Sequence, residues 1–279
     1  MIAPHDFGGD AVFAVVDSQE RETDVTFSLT TYYTSLENLY PRVVVEFEKY
    51  EDTRAGYMYV RTFDSILESR YEDILDFLRK IKDYEYLIID IRGNMGGYFR
   101  SWVNGIVRPL LKEDILHEYY LAYRTGEYVQ MFHEGFLSDK VEVPKETFSY
   151  LPSEVIGVDY KVFNFSDVYT ATHEVIFNGR IILLTDHMVY SAAEGFTNFC
   201  KETGFATVYG TASGGDGFFQ WPLYYVLPNS KLVITVTSAM SLDASGHSNE
   251  ETRTQPDVYH ESPFMDMDEL INYVLEEIK

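Results

Sequence analysis

The stretch YLIIDIRGNMGG, residues 86–97, constrains the fold of this chain more than any other. Its opening run is nearly all apolar and too short for a helix. That is the signature of a strand covered on both faces, as in a parallel sheet. Glycines follow directly, where a chain must turn sharply. Upstream, YMYVRTF (57–63) reads as a strand. SILE (65–68) has the capping-box pattern, and Leu67, Tyr71, Ile74, Leu75, Leu78 and Ile81 recur at helical spacing. A second helix is expected over 99–111. Strand, helix, strand, glycine turn and helix make a βαβα order, which implies an α/β domain with a mostly parallel sheet.

The same grammar returns downstream. RIILLTD (180–186) is another buried strand, and a helix is expected from Ser191 to Thr203 with Gly204 ending it. ATVYG, FFQWPLYYVL and KLVITVTSAM supply further strands, and MDELINYVLEEIK closes the chain as an amphipathic helix. Residues 125–178 are polar, irregular and rich in aromatics, and read as insertions around a cleft. Residues 1–54 alternate in AVFAVV, DVTFSL and VVVEFEKY, with Val43, Val45 and Phe47 on one side. They read as a short β-rich N-terminal region, the remainder of a small domain, with the core spanning 55–279.

Composition narrows the function classes. The 279 residues are 46% hydrophobic, enough for a sizeable core. The formal net charge of −23, with no basic cluster, argues against nucleic-acid binding and against anionic membranes. Cys200 is the single cysteine, so neither an intramolecular disulfide nor a cysteine-based zinc site can form. No His, Asp and Glu cluster has ligand spacing, and neither metal nor cofactor is expected. No apolar run approaches a membrane span. The opening MIAPHDFGGD lacks the layout of a signal peptide, although a domain whose leader had been removed would look the same.

Four short motifs carry possible chemistry. DIRGNMGG (90–97) places backbone N–H groups after a buried strand, where they could hold an anion or be only a tight turn. YSAAE (190–194) puts Ser191 at the start of a helix, where the helix dipole favours a developing alkoxide and the N–H of Ala192 is available. Taken alone, Ser191 reads first as an N-cap, a position serine favours. GTASGGDG (210–217) and SNEETRTQPDV (248–258) could each be an ordinary turn.

Their order changes the reading. From about Gly56 to Glu261 the chain resembles the C-terminal processing (tail-specific) and tricorn-type serine peptidases, with a crotonase/Clp-protease-like core. IIDIRGNMGG is similar to that family's D-L-R-G-N-x-G-G, SAAE to its S-A-x-E, GTASGGDG to its G-x-x-T-x-G-K-G, and NEETRTQPD to its E-x-x-G-x-x-P-D. The resemblance implies an endopeptidase acting on polypeptides through an acyl-enzyme on Ser191. It also implies an oxyanion hole from the amides of Ala192 and Gly96 (within one position), with Glu250 orienting the machinery. Such a donor is worth about 3–4 kcal/mol. Relatives commonly act outside the bacterial cytoplasm, and the same is expected here.

The departures matter as much. Tail-specific members have a lysine base where this chain has Asp216, and an aspartate beside the nucleophile disfavours an alkoxide. Arg253 replaces a glycine of the last motif. Tricorn-type members use an upstream histidine, and no matching motif occurs in residues 1–54; neither His5 nor His187 has a convincing setting. The chain is then either a fragment beginning after a histidine-bearing domain, which is the favoured expectation, or an inactive relative that binds peptide. A third possibility, an acyl-thioester enzyme binding coenzyme A, is disfavoured by the acidic surface.

Overall fold

A computed structural model describes residues 10–16, 22–28, 43–171, 176–216, 223–263 and 266–279. The chain divides into two compact units between Val43 and Val44. In the first, strands β1 (Asp10–Val16) and β2 (Glu22–Ser28) pair antiparallel, Asp10 opposite Ser28. The second unit begins with β3 (Val45–Tyr50) and β4 (Ala55–Val60), also antiparallel. The stretch 45–50, expected in the N-terminal region, is therefore the edge strand of the main sheet.

From β4 the chain runs through a 3-10 turn (Ser65–Arg70) into helix α1 (Tyr71–Lys80) and back to β5 (Tyr86–Asp90). The expected capping box does not form, because Asp64 occupies the cap position and Ser65 lies inside the 3-10 turn. Helix α2 covers residues 99–110 but is widened into a π turn over Val103–Val107. Pro109 has no N–H to return to the carbonyl four residues back, and Gly105 lies flat beneath the Tyr71 ring, where a Cβ would come within 2.3 Å.

Residues 115–169 are more ordered than their composition suggested. They hold β6 (Ile115–His117), β7 (Tyr120–Arg124), helix α3 (Glu127–Leu137), β8 (Glu142–Val143), helix α4 (Ser153–Ile156), β9 (Tyr160–Asn164) and β10 (Asp167–Tyr169). Strands this short carry little periodicity. The chain then enters β11 (Arg180–Thr185), helix α5 (Ala192–Thr203) and β12 (Thr207–Gly210). Gly204 ends α5 in the left-handed region, as expected. Beyond lie the hairpin β13 (Leu223–Val226) and β14 (Val233–Val236), then β15 (Ala239–Leu242), helix α6 (Asn249–Thr252), β16 (Val258–Tyr259) and helix α7 (Met267–Glu277). The expected strand over FFQWPLYYVL is described only from Leu223 onward.

The main sheet has the order β16-β12-β11-β5-β4-β3 and is parallel throughout except for the β3–β4 edge. Its strands are apolar on both sides because both sides are covered. Met58, Val60, Leu87, Ile89 and Leu183 face α1, α2 and α5, while Tyr57, Tyr59, Ile88, Ile182 and Leu184 face α7. A second, antiparallel sheet of order β15-β7-β9-β8 flanks this core. Every residue of α5 from Ala192 to Cys200 is buried, so the helix is a fixed strut. Among the described residues, no helix is long and apolar enough to cross a membrane.

Candidate active site

Ser191 joins the β11 loop to α5 with φ 56° and ψ −125°, a conformation L-residues rarely adopt. Such backbone costs on the order of 1–3 kcal/mol and persists only where its surroundings enforce it. They do so on three sides. Tyr190 N–H donates to the Asn94 carbonyl at 3.1 Å, Ser191 N–H to that of Gly215 at 3.3 Å, and Gly195 N–H to that of Ser191 at 3.0 Å. The Ser191 side chain makes no capping bond, so the simple N-cap role does not describe it. Half-buried at the positive end of a twelve-residue helix, its hydroxyl lies where negative charge is favoured.

The turn after β5 is pressed against this serine. Gly96 has φ 100°, and a Cβ on it would lie 2.8 Å from Ser191 Cβ and 2.9 Å from Ala192 N. Buried Asn94 shapes the turn: its Nδ2 donates to the Val60 carbonyl at 3.0 Å, and its Oδ1 accepts from Gly96 N–H at 2.9 Å. The amide expected from Gly96 is therefore already engaged. The next one, Gly97 N–H, donates to no acceptor among the described residues. Ala192 N–H, first in its helix, has no intrahelical acceptor. Asp186 locks the two loops together, its Oδ1 accepting from Gly93 N–H at 3.1 Å and Met188 N–H at 2.9 Å. Asn94 and Asp186 escaped the sequence reading, although both lie inside the quoted motifs.

Asp216 lies on the other side of Ser191. Its loop runs beside the serine, with Gly214 N–H donating to the Val189 carbonyl at 2.6 Å. Burial raises the Asp216 carboxyl above the usual aspartate range, partly opposed by a hydrogen bond from the Tyr190 hydroxyl. Burial, then the neighbouring Asp216 charge, raises the Tyr190 phenol in turn.

Glu250, on α6, points into the same region but is held by serines. Its Oε1 accepts from Ser241 N–H at 3.2 Å and Ser241 Oγ at 2.9 Å, and its Oε2 from Ser248 Oγ at 3.0 Å. Beneath it, fully buried Glu194 accepts from Asn249 Nδ2 at 2.6 Å and from Thr254 N–H and Oγ1. Arg253, where the motif has glycine, takes φ 54°. A cavity of about 670 Å³ opens beside this cluster. Tyr190, Gly214, Asp216 and Glu250 form one wall, and Tyr128, Tyr160, Tyr225, Ile234 and Met240 belong to the others. Ser191 itself does not line it; its neighbours do.

No described histidine is bonded to Ser191. His117 pairs with Asn198, His133 with Ser238, His247 with Asp243 and His260 with Glu269, while His187 is exposed in the loop before the serine. His5 and His173 lie outside the described residues. Among the described residues, no group of His, Cys, Asp and Glu could hold a metal ion.

Comparison with solved structures gives the fold independently. A candidate peptidase from Parabacteroides merdae superposes with a TM-score of 0.62 at 17% identity, covering 97% of this chain and 78% of that one. The photosystem II D1 C-terminal processing protease gives 0.52 at 16% identity, over 95% of this chain and 59% of that one. Mature CPAF in complex with lactacystin gives 0.59 at 14% identity, over 97% and 67%. No curated protein matches. The model of peptidase family S41 matches residues 54–260, most of the chain and all four motifs, and the chain belongs to that family.

Proposed function

We propose that the protein is a serine endopeptidase that hydrolyses polypeptides through an acyl-enzyme on Ser191. The observation that carries this reading is the enforced Ser191 backbone in contact with the Gly96 turn. A serine kept in a strained conformation at a helix N-terminus, facing unused amides, is arranged for attack on a carbonyl rather than for capping. The Ser191 oxygen adds to the scissile carbonyl carbon. The resulting oxyanion is received by Ala192 N–H and by the glycine turn, with Gly97 N–H the donor in this geometry and Gly96 N–H tied to Asn94. Collapse expels the amine and leaves the ester, which water hydrolyses.

In this proposal Glu250, fixed by Ser241 and Ser248, orients Ser191 or the group that takes its proton. The proton that leaves the Ser191 hydroxyl is delivered to the departing amine; none of the described residues is assigned as its carrier, and Asp216, when ionised, opposes a neighbouring alkoxide. Action outside the cytoplasm is part of the same proposal and follows from the resemblance alone.

The second reading, a peptide-binding relative without turnover, draws on the aspartate at the lysine position and on the histidines engaged elsewhere. A fluorophosphonate probe separates the two. Covalent labelling that disappears in Ser191→Ala supports the peptidase; a folded protein that never labels is the binder.

A further inference from the structure

The cavity beside the proposed nucleophile has an uneven distribution of charge. Two carboxylates, Asp216 and Glu250, and one guanidinium, Arg124, are among its lining groups. Glu250 already accepts three hydrogen bonds from Ser241 and Ser248. Among the described residues Arg124 forms no ion pair with Asp216, and Arg124 is exposed at the end of β7. Asp216 is half-buried, and among the described residues its carboxylate receives one side-chain hydrogen bond, from Tyr190. A carboxylate in that setting keeps most of its acceptor capacity open, and burial penalises its charge unless a cation arrives.

The remaining walls suit the stem of such a cation. Tyr128, Tyr160 and Tyr225 present aromatic surface, and Ile234 and Met240 add aliphatic surface. A lysine or arginine side chain has this double character, an apolar stem ending in a charged head. Tyrosine faces also attract cations directly. The loop that carries Asp216 is hydrogen-bonded to Val189 and Ser191, so a side chain lodged here belongs to a residue near the bond that Ser191 would attack.

We propose that this cavity is a specificity subsite for a basic side chain of the substrate, with Asp216 as the carboxylate that recognises its ammonium or guanidinium head. The proposal rests on the peptide-binding site described above, but it does not require turnover. Position 216 then serves selection, where the resemblance would place a base.

The experiment uses the full chain carrying Ser191→Ala, so that binding is read without cleavage. Fluorescent peptides that differ only in one residue, lysine, arginine, norleucine or glutamate, are titrated by anisotropy. The lysine and arginine peptides are expected to bind about tenfold more tightly than the norleucine peptide, the size of one partly solvated charge-assisted hydrogen bond. The glutamate peptide should be the weakest. Adding Asp216→Asn should erase the advantage of the basic peptides and leave norleucine affinity within about twofold. Equal affinity for lysine and norleucine peptides, or a preference that survives Asp216→Asn, overturns the subsite. If no peptide of the panel binds and the wild-type serine does not label, the reading of the site as a peptide cleft fails with it. Labelling without any basic preference overturns the subsite alone.

Discussion

Thr254 binds Glu194 twice across sixty positions of sequence, its backbone N–H and its hydroxyl both donating to Oε1, at 3.1 and 2.7 Å. Asn249 Nδ2 adds a third donor to the same oxygen. Through this one buried atom the helix that follows Ser191 holds the segment that carries Glu250. Glu194→Ala should therefore cost about 3 kcal/mol of stability, since it removes the shared acceptor of three buried donors, of which Thr254 N–H keeps a close alternative, Ser213 Oγ at 3.0 Å. Glu194→Gln keeps an acceptor oxygen and should cost about 1 kcal/mol. Urea unfolding followed by tryptophan fluorescence checks both. Equal stability of the two variants would show that the shared oxygen is not what joins these segments.

Gly96 and Ser191 are close enough that the glycine has no room for a methyl group. A Cβ would fall 2.8 Å from Ser191 Cβ and from the Tyr190 carbonyl, and φ 100° is strained for any L-residue. Gly96→Ala should push the turn away from the serine and lower the fluorophosphonate labelling rate by roughly 100-fold, the effect of losing one oxyanion donor. Circular dichroism establishes that the variant is folded. Labelling at the wild-type rate in a folded variant would separate the glycine turn from the chemistry.

The β5 turn and the Ser191 helix were legible because each couples a strong local pattern to a buried element. An apolar run followed by glycines has few alternatives, and the same holds for a strand, a loop and a twelve-residue helix closed by Gly204. The flanking sheet was not legible. Its strands run two to five residues and owe their place to long-range pairing, such as Leu121 with Phe163 and with Ser241. The capping box failed because its pattern fits wherever Ser and Glu lie three apart, and Asp64 reached the cap position first. At the site, sequence order suggested which loops meet. It could not show that Asn94 would occupy the Gly96 amide, since that depends on a side-chain rotamer inside the turn.

Asp216 gives a pH signature of stability. Burial raises its folded-state carboxyl above the ordinary value of 3.8, so the folded protein holds this proton more tightly than the unfolded chain does. Its contribution to stability is present in full below that ordinary value and is lost as pH rises through the folded-state value. At neutral pH the ionised group opposes folding. Asp216→Asn should raise the melting temperature at pH 7 and leave it nearly unchanged below pH 3.8. Scanning calorimetry across this range decides it; a variant less stable at pH 7 would mean that the carboxylate has a partner offsetting its burial.

The fully buried Asp90–Arg92 pair ties the sheet to the last helix. Arg92 Nη2 lies 2.6 Å from Asp90 Oδ2 and 2.7 Å from the Met267 carbonyl, and Tyr57 OH donates to Asp90 Oδ2 at 2.9 Å. Arg92→Met leaves the carboxylate buried without its cation and should cost about 3–5 kcal/mol. Replacing both, as Asp90→Asn with Arg92→Met, should recover a part of that loss. A double variant no more stable than the single one would contradict this account.

His117 makes the fold sensitive to acid by a route separate from the site. The imidazole is 1% exposed, with Nε2 3.0 Å from Asn198 Oδ1 on the inner face of α5 and its ring 5.7 Å from that of Phe199. Burial lowers its affinity for a proton below the ordinary value of 6.5, and this outweighs the opposing effects of the Asn198 bond and the Asp167 charge. The unfolded chain therefore takes up a proton first as pH falls. Stability conferred by the neutral ring is intact above 6.5 and declines below it, by up to about 1.4 kcal/mol per pH unit, until the folded-state value is reached. His117→Gln keeps a donor for Asn198 but cannot titrate. Its stability should begin below the wild-type value at neutral pH, because the smaller side chain packs less well, and the gap should narrow as the pH is lowered toward about 5. Urea midpoints at a series of pH values give the comparison, and two curves running parallel from pH 7 to 5 would remove His117 as the acid-sensitive group.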